Sequence, residues 1–394
     1  MKLLIYSHHF APSVGGVESS VLALATGLAG RKSGIHPQQF EVVVVTQTEA
    51  GHFDDGQFPF RVERKPSLFR LSKLIRDHEV VHVAGPAMMP VVLAKLLRRP
   101  VVVEHHGYQA ICPNGALWEQ PSGLVCPGHF QAGNYSRCVR CCRAESSSWY
   151  RGVRAVGLTG LRGWLCRFTE NIAISQHVSR RHGHLNMRVI YYGIADPYQG
   201  SVQPQAAHDL APPISFAYVG RLVPEKGVAV LLAAAAILKG EGFKFEVVIV
   251  GDGPQRRELQ EQVRVNGLEG CTRFTGFLRG GELAEALRKV HAVVMPSVVE
   301  ETAGLAAIEQ MMRARLVIVA SIGGLQEVVG DAGLQFPVRD ARALAERMKK
   351  VIAKPEMVSE FGRIARSRAE QLFTLNRFLD EHAGLYYNLA EGET

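Results

Sequence analysis

Glu301 and Glu309 stand eight residues apart in a segment, 296–310, that reads as a loop running into a helix directly after the apolar run Ala292–Met295. Eight helical positions rise about 12 Å at about 1.5 Å each, which suits two acceptors gripping hydroxyls at distant parts of one long ligand. Between them the helix begins near Gly304 and Leu305, where free amides and the positive dipole end favour an anion, ideally a diphosphate. Upstream, Arg221 and Lys226 place a planar fork and a point charge five residues apart in the loop after the run Ile214–Val219. Both bind phosphate oxygens well, and the carboxyl end of a strand is where an anion site belongs. Near the start of the chain, Gly15 and Gly16 sit where a helix opens, so that bare backbone can approach a phosphate; a tight turn is the other reading. His106 follows the run Val101–Glu104, and a neutral imidazole there can hold a hydroxyl or be a satisfied loop histidine.

Seven cysteines are present and five fall between Cys112 and Cys142. Cys112, Cys126, Cys138 and Cys141 end in a Cys-x-x-Cys knuckle, a donor set able to hold a structural zinc tetrahedrally and so stabilise a loop with little core of its own. Free thiols and disulfides are the competing readings, and the adjacent Cys142 leaves the fourth ligand open.

These residues need a scaffold. The chain has 394 residues, 47% hydrophobic and 21% charged, which is ordinary globular composition and comfortable for two domains. Short β-branched runs alternate with helical stretches throughout, the signature of parallel sheets wrapped by helices. Strands are expected at Lys2–Tyr6, Phe40–Thr46, Val80–Val83, Val101–Glu104, Asn171–Ile174 and Val189–Tyr192. A second series follows at Ile214–Val219, Phe245–Val250, Thr272–Thr275, Ala292–Met295 and Leu316–Ala320. Three helices should close the chain, near 341–353, 356–372 and 376–390. The expected organisation is a doubly wound domain over 1–200 carrying a cysteine-rich insertion at 107–148, a linker at 201–213, and a second doubly wound domain over 214–375. The default site is a cleft between them.

Taken together, Phe10-x-Pro12-x-x-Gly15-Gly16-x-Glu18, Gly220-Arg221-x-x-x-Glu225-Lys226-Gly227, Gly251-x-Gly253-Pro254, the pair Glu301 and Glu309, and Gly323-Gly324-x-x-Glu327 follow one another in a known order. The chain resembles the family-4 retaining glycosyltransferases of the GT-B fold, the glycosyl transferases group 1, over nearly its whole length. The resemblance implies an α/β protein of two Rossmann-like domains facing across a cleft, with 376–394 forming a helix that crosses back to the first domain. It implies a nucleoside-diphosphate-sugar donor, with Arg221, Lys226 and the amides at Gly16, Gly304 and Leu305 around the diphosphate. Glu301 would hold the transferred sugar, Glu309 the ribose diol, and His106 would border the reacting sugar. Ala303, Gly107 and Gln326 depart from the family's usual residues. No Asp-x-Asp occurs among the nine aspartates, so catalysis is expected to rely on fixed cations and amides, with no catalytic metal or other cofactor.

The expected reaction is therefore a retaining hexosyl transfer to a glycan or lipid-linked acceptor, of the kind that builds cell-surface polysaccharide or glycolipid. A nucleotide-sugar hydrolase or epimerase is the enzymatic alternative, and a non-catalytic glycan- or nucleotide-binding protein the other. The closest approach to a dinucleotide fingerprint, Gly251-Asp252-Gly253-Pro254-Gln255-Arg256, lacks the third glycine. Net charge is uneven: residues 1–200 hold 22 Lys+Arg against 13 Asp+Glu, and the rest hold 23 against 24. The basic half, with the amphipathic stretch 67–77 and the aromatic, arginine-bearing stretch 149–168, fits peripheral contact with an anionic membrane. The competing reading of 67–77 is a surface helix with its apolar side on the sheet, and the four glycines of 149–168 predict a weak helix. No aromatic stacking surface accompanies the cations, so nucleic acid is not expected as a partner. No hydrophobic leader is seen at Met1–His9 and no long apolar span elsewhere, which places the expected location in the cytoplasm, at the cytoplasmic face of the membrane.

Overall fold

The computed structural model describes residues 1–13, 15–30, 40–120, 122–146, 148–198 and 213–392. The chain forms two units, Met1–Ala195 with Phe373–Thr394, and Asp196–Leu372. The expected linker at 201–213 lies outside the described residues except for Pro213.

The first unit is built on a seven-stranded sheet in the order Arg61–Arg64, Glu41–Thr46, Lys2–Ser7, Val80–Ala84, Val101–His105, Glu170–Ala173, Arg188–Val189, with every neighbouring pair parallel. The central strands are buried on both faces, which is why they read as valine-rich runs, interrupted only by His82 in one and by Glu104 and His105 in the other. Chain order reverses between Lys2–Ser7 and Val80–Ala84. The second unit repeats the plan with six parallel strands, Thr272–Gly276, Phe245–Val250, Ile214–Val219, Ala292–Met295, Leu316–Ala320 and Leu334–Phe336. Its reversal falls between Ile214–Val219 and Ala292–Met295. Ligands of doubly wound sheets bind beyond the carboxyl ends of strands at such a reversal, and the Arg221 and Glu301 loops leave from these two strands.

Two edge strands, Arg61–Arg64 and Leu334–Phe336, were not expected. The first is charged and half-exposed, as edges commonly are, and the second is three residues long, so neither shows an apolar run. The last strand of the first sheet is shorter than expected, Arg188–Val189.

The chain's closing helix, Leu375–Glu391, is part of the first unit. Phe378, Leu379, Ala383, Leu385 and Tyr386 share a core with Leu3, Leu24, Val42 and Val80. Thr374 caps it, accepting from the Arg377 amide.

The helix Leu68–Asp77 is capped by Ser67 and turns Leu71, Leu74 and Ile75 onto the sheet, while Arg70 pairs with Glu63. The segment Trp149–Cys166 departs from expectation: it is one continuous helix of 18 residues. Two of its glycines are spacers, since a Cβ at Gly152 would stand 2.8 Å from the Val139 carbonyl oxygen and one at Gly163 2.9 Å from that of Ala110. Close backbone packing compensates for the lost propensity. Among the described residues no helix is long and apolar enough to cross a membrane.

Candidate functional site: the strand-end loops of the second unit

Two loops meet at the reversal of the second sheet. The first, after Ile214–Val219, turns through a short 3-10 segment, Pro224–Lys226, into the helix Val228–Gly240. The second leaves Ala292–Met295 and enters the helix Leu305–Met312. They are joined where the Val298 amide donates to the Glu225 carbonyl at 2.9 Å. Gly227 makes the approach possible: its φ is +65°, and a Cβ would lie 2.0 Å from the Pro296 carbonyl oxygen. A third loop joins them, with the Leu222 amide donating to the Asp252 carbonyl and the Gln255 amide to that of Leu222. The Gly323-Gly324 pair lies under the acidic loop, where the Gly324 amide donates to the Glu301 carbonyl at 2.6 Å and a Cβ on Gly324 would be 2.1 Å from the Thr302 carbonyl. The motif glycines are therefore points of backbone contact that fix Glu301.

The side chains so fixed are the ones the sequence singled out. Lys226 Nζ donates to Glu301 Oε1 at 2.5 Å, and Ser297 Oγ donates to the same oxygen at 2.6 Å. Burial alone would raise the Glu301 carboxyl, but the Lys226 charge, the bonds from Lys226 and Ser297 and the nearby Arg221 hold it below the ordinary glutamate range. Arg221 is exposed, and its backbone is held by the Tyr218 hydroxyl, which donates to the Arg221 carbonyl at 2.7 Å. Gly304, at φ +66°, opens the helix, and the Leu305 and Ala306 amides donate to no acceptor among the described residues. Further along, Glu309 is half-buried, has no hydrogen bond or ion pair among the described residues, and is raised by burial, with Arg313 partly opposing. Two cations, free amides and two carboxylates held in different states thus occupy one strand-end region. Ser297 was missed in the sequence; its only signal is a polar residue immediately beyond a buried strand.

The first unit carries the other expected residues. Gly15 caps the helix Gly16–Ala29, and the Glu18 carboxylate lies over it. His106 is buried. Its Nδ1 pairs with the Tyr192 hydroxyl at 2.8 Å and its Nε2 faces Glu104 Oε2 at 3.2 Å. Both ring nitrogens are turned to protein groups. Tyr192 and Glu104 were also missed, although a carboxylate inside the fully buried run Val101–His105 is a readable anomaly.

Cys112, Cys126, Cys138 and Cys141, with Cys142, His129 and Glu119, line one hollow of about 20 Å³, the size of a single small occupant. Asn114 Nδ2 and the Gln120 amide both donate to Cys141 Sγ. Burial and the neighbouring cysteines push the Cys138 thiol up to about 12. The donor set fits a thiolate-bound zinc, whose charge would reverse that shift. No three of these sulfurs lie within 4.8 Å of one another, so holding an ion requires the side chains to close inward.

Comparison with known proteins defines the class. Over 98% of the chain and 100% of the other, the protein superposes on the crystal structure of Anabaena Alr3699/HepE in complex with UDP with a TM-score of 0.73 at 19% identity. It superposes likewise on WaaG, a glycosyltransferase involved in lipopolysaccharide biosynthesis, with a TM-score of 0.66 at 14% identity over 98% and 99%. These likenesses identify the GT-B fold. In sequence the chain is 26% identical to a Mycobacterium tuberculosis glycogen synthase over 400 residues, 98% of this chain and 91% of the relative. It is 31% identical to the Escherichia coli O-antigen chain mannosyltransferase C over 183 residues, 45% and 48% of the two chains. The family model for glycosyl transferases group 1 matches residues 205–368, the unit that carries Arg221, Lys226, Glu301 and Glu309. The likeness to the glycosyl transferases group 1 family thus rests on that matched segment.

Proposed function

We propose that the protein transfers a hexose-type sugar, with retention at the anomeric carbon, from a nucleoside-diphosphate sugar to a glycan or lipid-linked acceptor in cell-surface polysaccharide or glycolipid synthesis. The observation that carries this reading is the grouping of Arg221, Lys226, Glu301 and the free Leu305 and Ala306 amides at the reversal of the second sheet. As the sugar–phosphate bond breaks, its electron pair and the growing negative charge pass to the leaving diphosphate. Arg221, the remaining donors of Lys226 and the helix amides are placed to take that charge without rearranging. The acceptor hydroxyl's oxygen forms the new bond to the anomeric carbon, and its proton leaves with the diphosphate if attack is on the same face. Glu301 orients the sugar, and Glu309 accepts from the ribose diol. No divalent ion is required in this scheme at the reacting centre. The zinc we assign to Cys112, Cys126, Cys138 and Cys141 is structural.

The lipid-linked acceptor has support in the first unit. The helix Trp149–Cys166 is inverted: it buries Gly152, Thr159, Gly163 and Cys166 and exposes Trp149, Tyr150, Val153, Leu161 and Trp164. Phe168 continues the exposed side, and residues 149–169 hold four arginines and no acid. Such a face suits a cytoplasmic membrane surface with anionic headgroups. Beside it lies a hollow of about 430 Å³ lined by Phe130, Tyr135, Trp164, Arg167 and His184 among others, part apolar and part polar.

Thermal unfolding with UDP, GDP, ADP, dTDP and NAD, all in EDTA with zinc restored in a parallel arm, tests the donor site. A ligand at a hundred times its Kd adds about 2.7 kcal/mol, so one nucleoside diphosphate should stand out; the UDP complexes of Alr3699/HepE make uridine the first choice. Stabilisation by none of them, or by NAD alone, overturns the assignment. Release or isomerisation of sugar from the cognate donor without any acceptor would replace transferase by hydrolase or epimerase, and binding without turnover under either condition would leave a binding protein.

A further inference from the structure

One cluster of metal-ligating side chains is sealed inside the first unit and has no part in the reaction proposed above. His82 on Val80–Ala84, Glu104 on Val101–His105 and His382 on the helix Leu375–Glu391 are enclosed, at 0%, 1% and 0% exposure. Their ligand atoms lie within 4.8 Å of one another. His82 Nε2 is 3.2 Å from Glu104 Oε2, and His382 Nε2 is 3.7 Å from Oε1. Neither of these nitrogens, nor either carboxylate oxygen, makes a well-aligned hydrogen bond. Buried polar atoms are rarely left so, because each costs on the order of 1–3 kcal/mol and a charged one more. We propose that His82, Glu104 and His382 bind one divalent transition metal ion, zinc being the best match to their chemistry.

Spacing supports the ion. Ligands about 2.1 Å from a tetrahedral zinc stand about 3.4 Å from one another, and each histidine nitrogen stands near that distance from its own oxygen of the Glu104 carboxylate, 3.2 Å for His82 and 3.7 Å for His382. The rings are also held as ligating histidines are held. His382 Nδ1 is 2.8 Å from the Phe378 carbonyl, a pure acceptor, so Nδ1 carries the proton and a neutral ring turns the lone pair of Nε2 toward the carboxylate. Two lone-pair bearers facing each other repel unless a cation lies between them. His82 Nδ1 is 2.9 Å from the Tyr386 hydroxyl, which can accept its proton and so allows the same tautomer. A proton on His382 Nε2 is the rival cation, but it would sit on a nitrogen 3.7 Å from the nearest carboxylate oxygen, beyond hydrogen-bond reach, and leave a buried charge poorly paired. His106 Nε2, 3.2 Å from Glu104 Oε2, faces the same carboxylate. The site is closed to solvent and draws ligands from two strands and the last helix, so its consequence is structural: it fastens Leu375–Glu391 to the sheet.

Metal content per chain decides the matter, measured by plasma mass spectrometry on the purified full-length protein, on His382→Gln, on Glu104→Gln and on the double variant Cys138→Ser/Cys141→Ser. The expected result is one equivalent lost in His382→Gln and in Glu104→Gln and one equivalent retained in the double cysteine variant. Failure of the cysteine site alone leaves that pattern intact, which keeps the two metal assignments separable. Should His382→Gln not fold, as judged by far-ultraviolet circular dichroism, cobalt added to the metal-free cysteine variant reads the site directly. Tetrahedral cobalt bands without sulfur-to-metal charge transfer support it. Wild-type metal content in a folded His382→Gln chain, or only hydrated cobalt in the cysteine variant, overturns it and leaves Glu104 neutralised by a protonated imidazole.

Discussion

Glu301 in the second unit and Glu104 in the first both sit at the end of, or just beyond, a buried parallel strand, yet their surroundings differ in kind. Glu301 shares one oxygen between Lys226 and Ser297, and its side chain keeps 17% of its surface open. Glu104 faces three imidazoles at 1% exposure, with no well-aligned hydrogen bond on either oxygen. Near Glu301 the unsatisfied donors are backbone amides and an exposed guanidinium, groups that water serves until a ligand arrives. Near Glu104 water is excluded, so whatever neutralises the charge must be a permanent resident. The difference separates a place where chemistry is exchanged from a place where structure is fastened, although the residue types alone would have suggested catalysis at both.

The sharpest way to break this contrast is Lys226→Ala. If Lys226 serves the leaving diphosphate, its removal should cost about 3 kcal/mol of transition-state stabilisation, roughly a hundredfold in kcat, while circular dichroism stays native. The change also strips Glu301 of its main counter-charge, so its carboxyl should rise from its depressed position. The paired, depressed Glu301 contributes stability that is present above the ordinary glutamate pKa and lost as pH falls through the folded value. Lys226→Ala should remove that contribution, visible as a flatter acid limb in thermal unfolding against pH. Wild-type kcat in a folded variant would remove the diphosphate role.

The next effect concerns the inverted helix. Trp149→Ser combined with Trp164→Ser deletes two exposed aromatic anchors. Full burial of one such side chain is worth roughly 1.5–3 kcal/mol, so partial insertion of two predicts at least about a tenfold loss of binding to vesicles containing anionic lipid, read by flotation. An unchanged distribution would mean that the aromatic face serves another purpose.

Glu309 gives a smaller, pH-dependent signature. Its carboxyl is raised by burial and has no partner among the described residues, so it protonates before Glu301 as the solution is acidified. Affinity for the nucleoside diphosphate should begin to fall above the ordinary glutamate pKa. Comparison with Glu309→Gln cancels the ligand's own titration, and the variant should lack this limb. The sign for stability is opposite: a raised carboxyl penalises the fold when ionised, and the penalty vanishes as pH falls through the folded value. Glu309→Gln should therefore bind more weakly at neutral pH while unfolding at a higher temperature without ligand. A variant that lost both affinity and stability would point to a packing role.

How much of this was visible in the sequence depends on distance along the chain. Arg221, Lys226 and Glu301 lie in loops that directly follow apolar strands, and Glu309 in the helix that the second of these loops enters, so position and chemistry could be read together. The direct bond between Lys226 and Glu301 joins residues 75 apart, and no local pattern reveals it. His82, Glu104 and His382 come from three elements and become a cluster only when the last helix returns to the first sheet. The edge strands Arg61–Arg64 and Leu334–Phe336 escaped because strand reading depends on burial, which edges lack. Gly152 and Gly163 misled for the converse reason: propensity treats glycine as a weakness in a helix, whereas here the missing side chains admit the Val139 and Ala110 carbonyls.

That last point yields the smallest effect and a clean internal control. Gly157 lies on the exposed side of the same helix, and a Cβ there would meet nothing within 4 Å. With no close approach to preserve, Gly157→Ala should follow helix propensity and stabilise the protein by up to about 1 kcal/mol. Gly152→Ala must push against a backbone oxygen and should destabilise, despite the identical chemical change in the same helix. Differential scanning calorimetry of the two variants measures the contrast. Stabilisation by both would mean that the helix does not need its close approach to Val139, and the account of an inverted helix held by its small residues would fall with it.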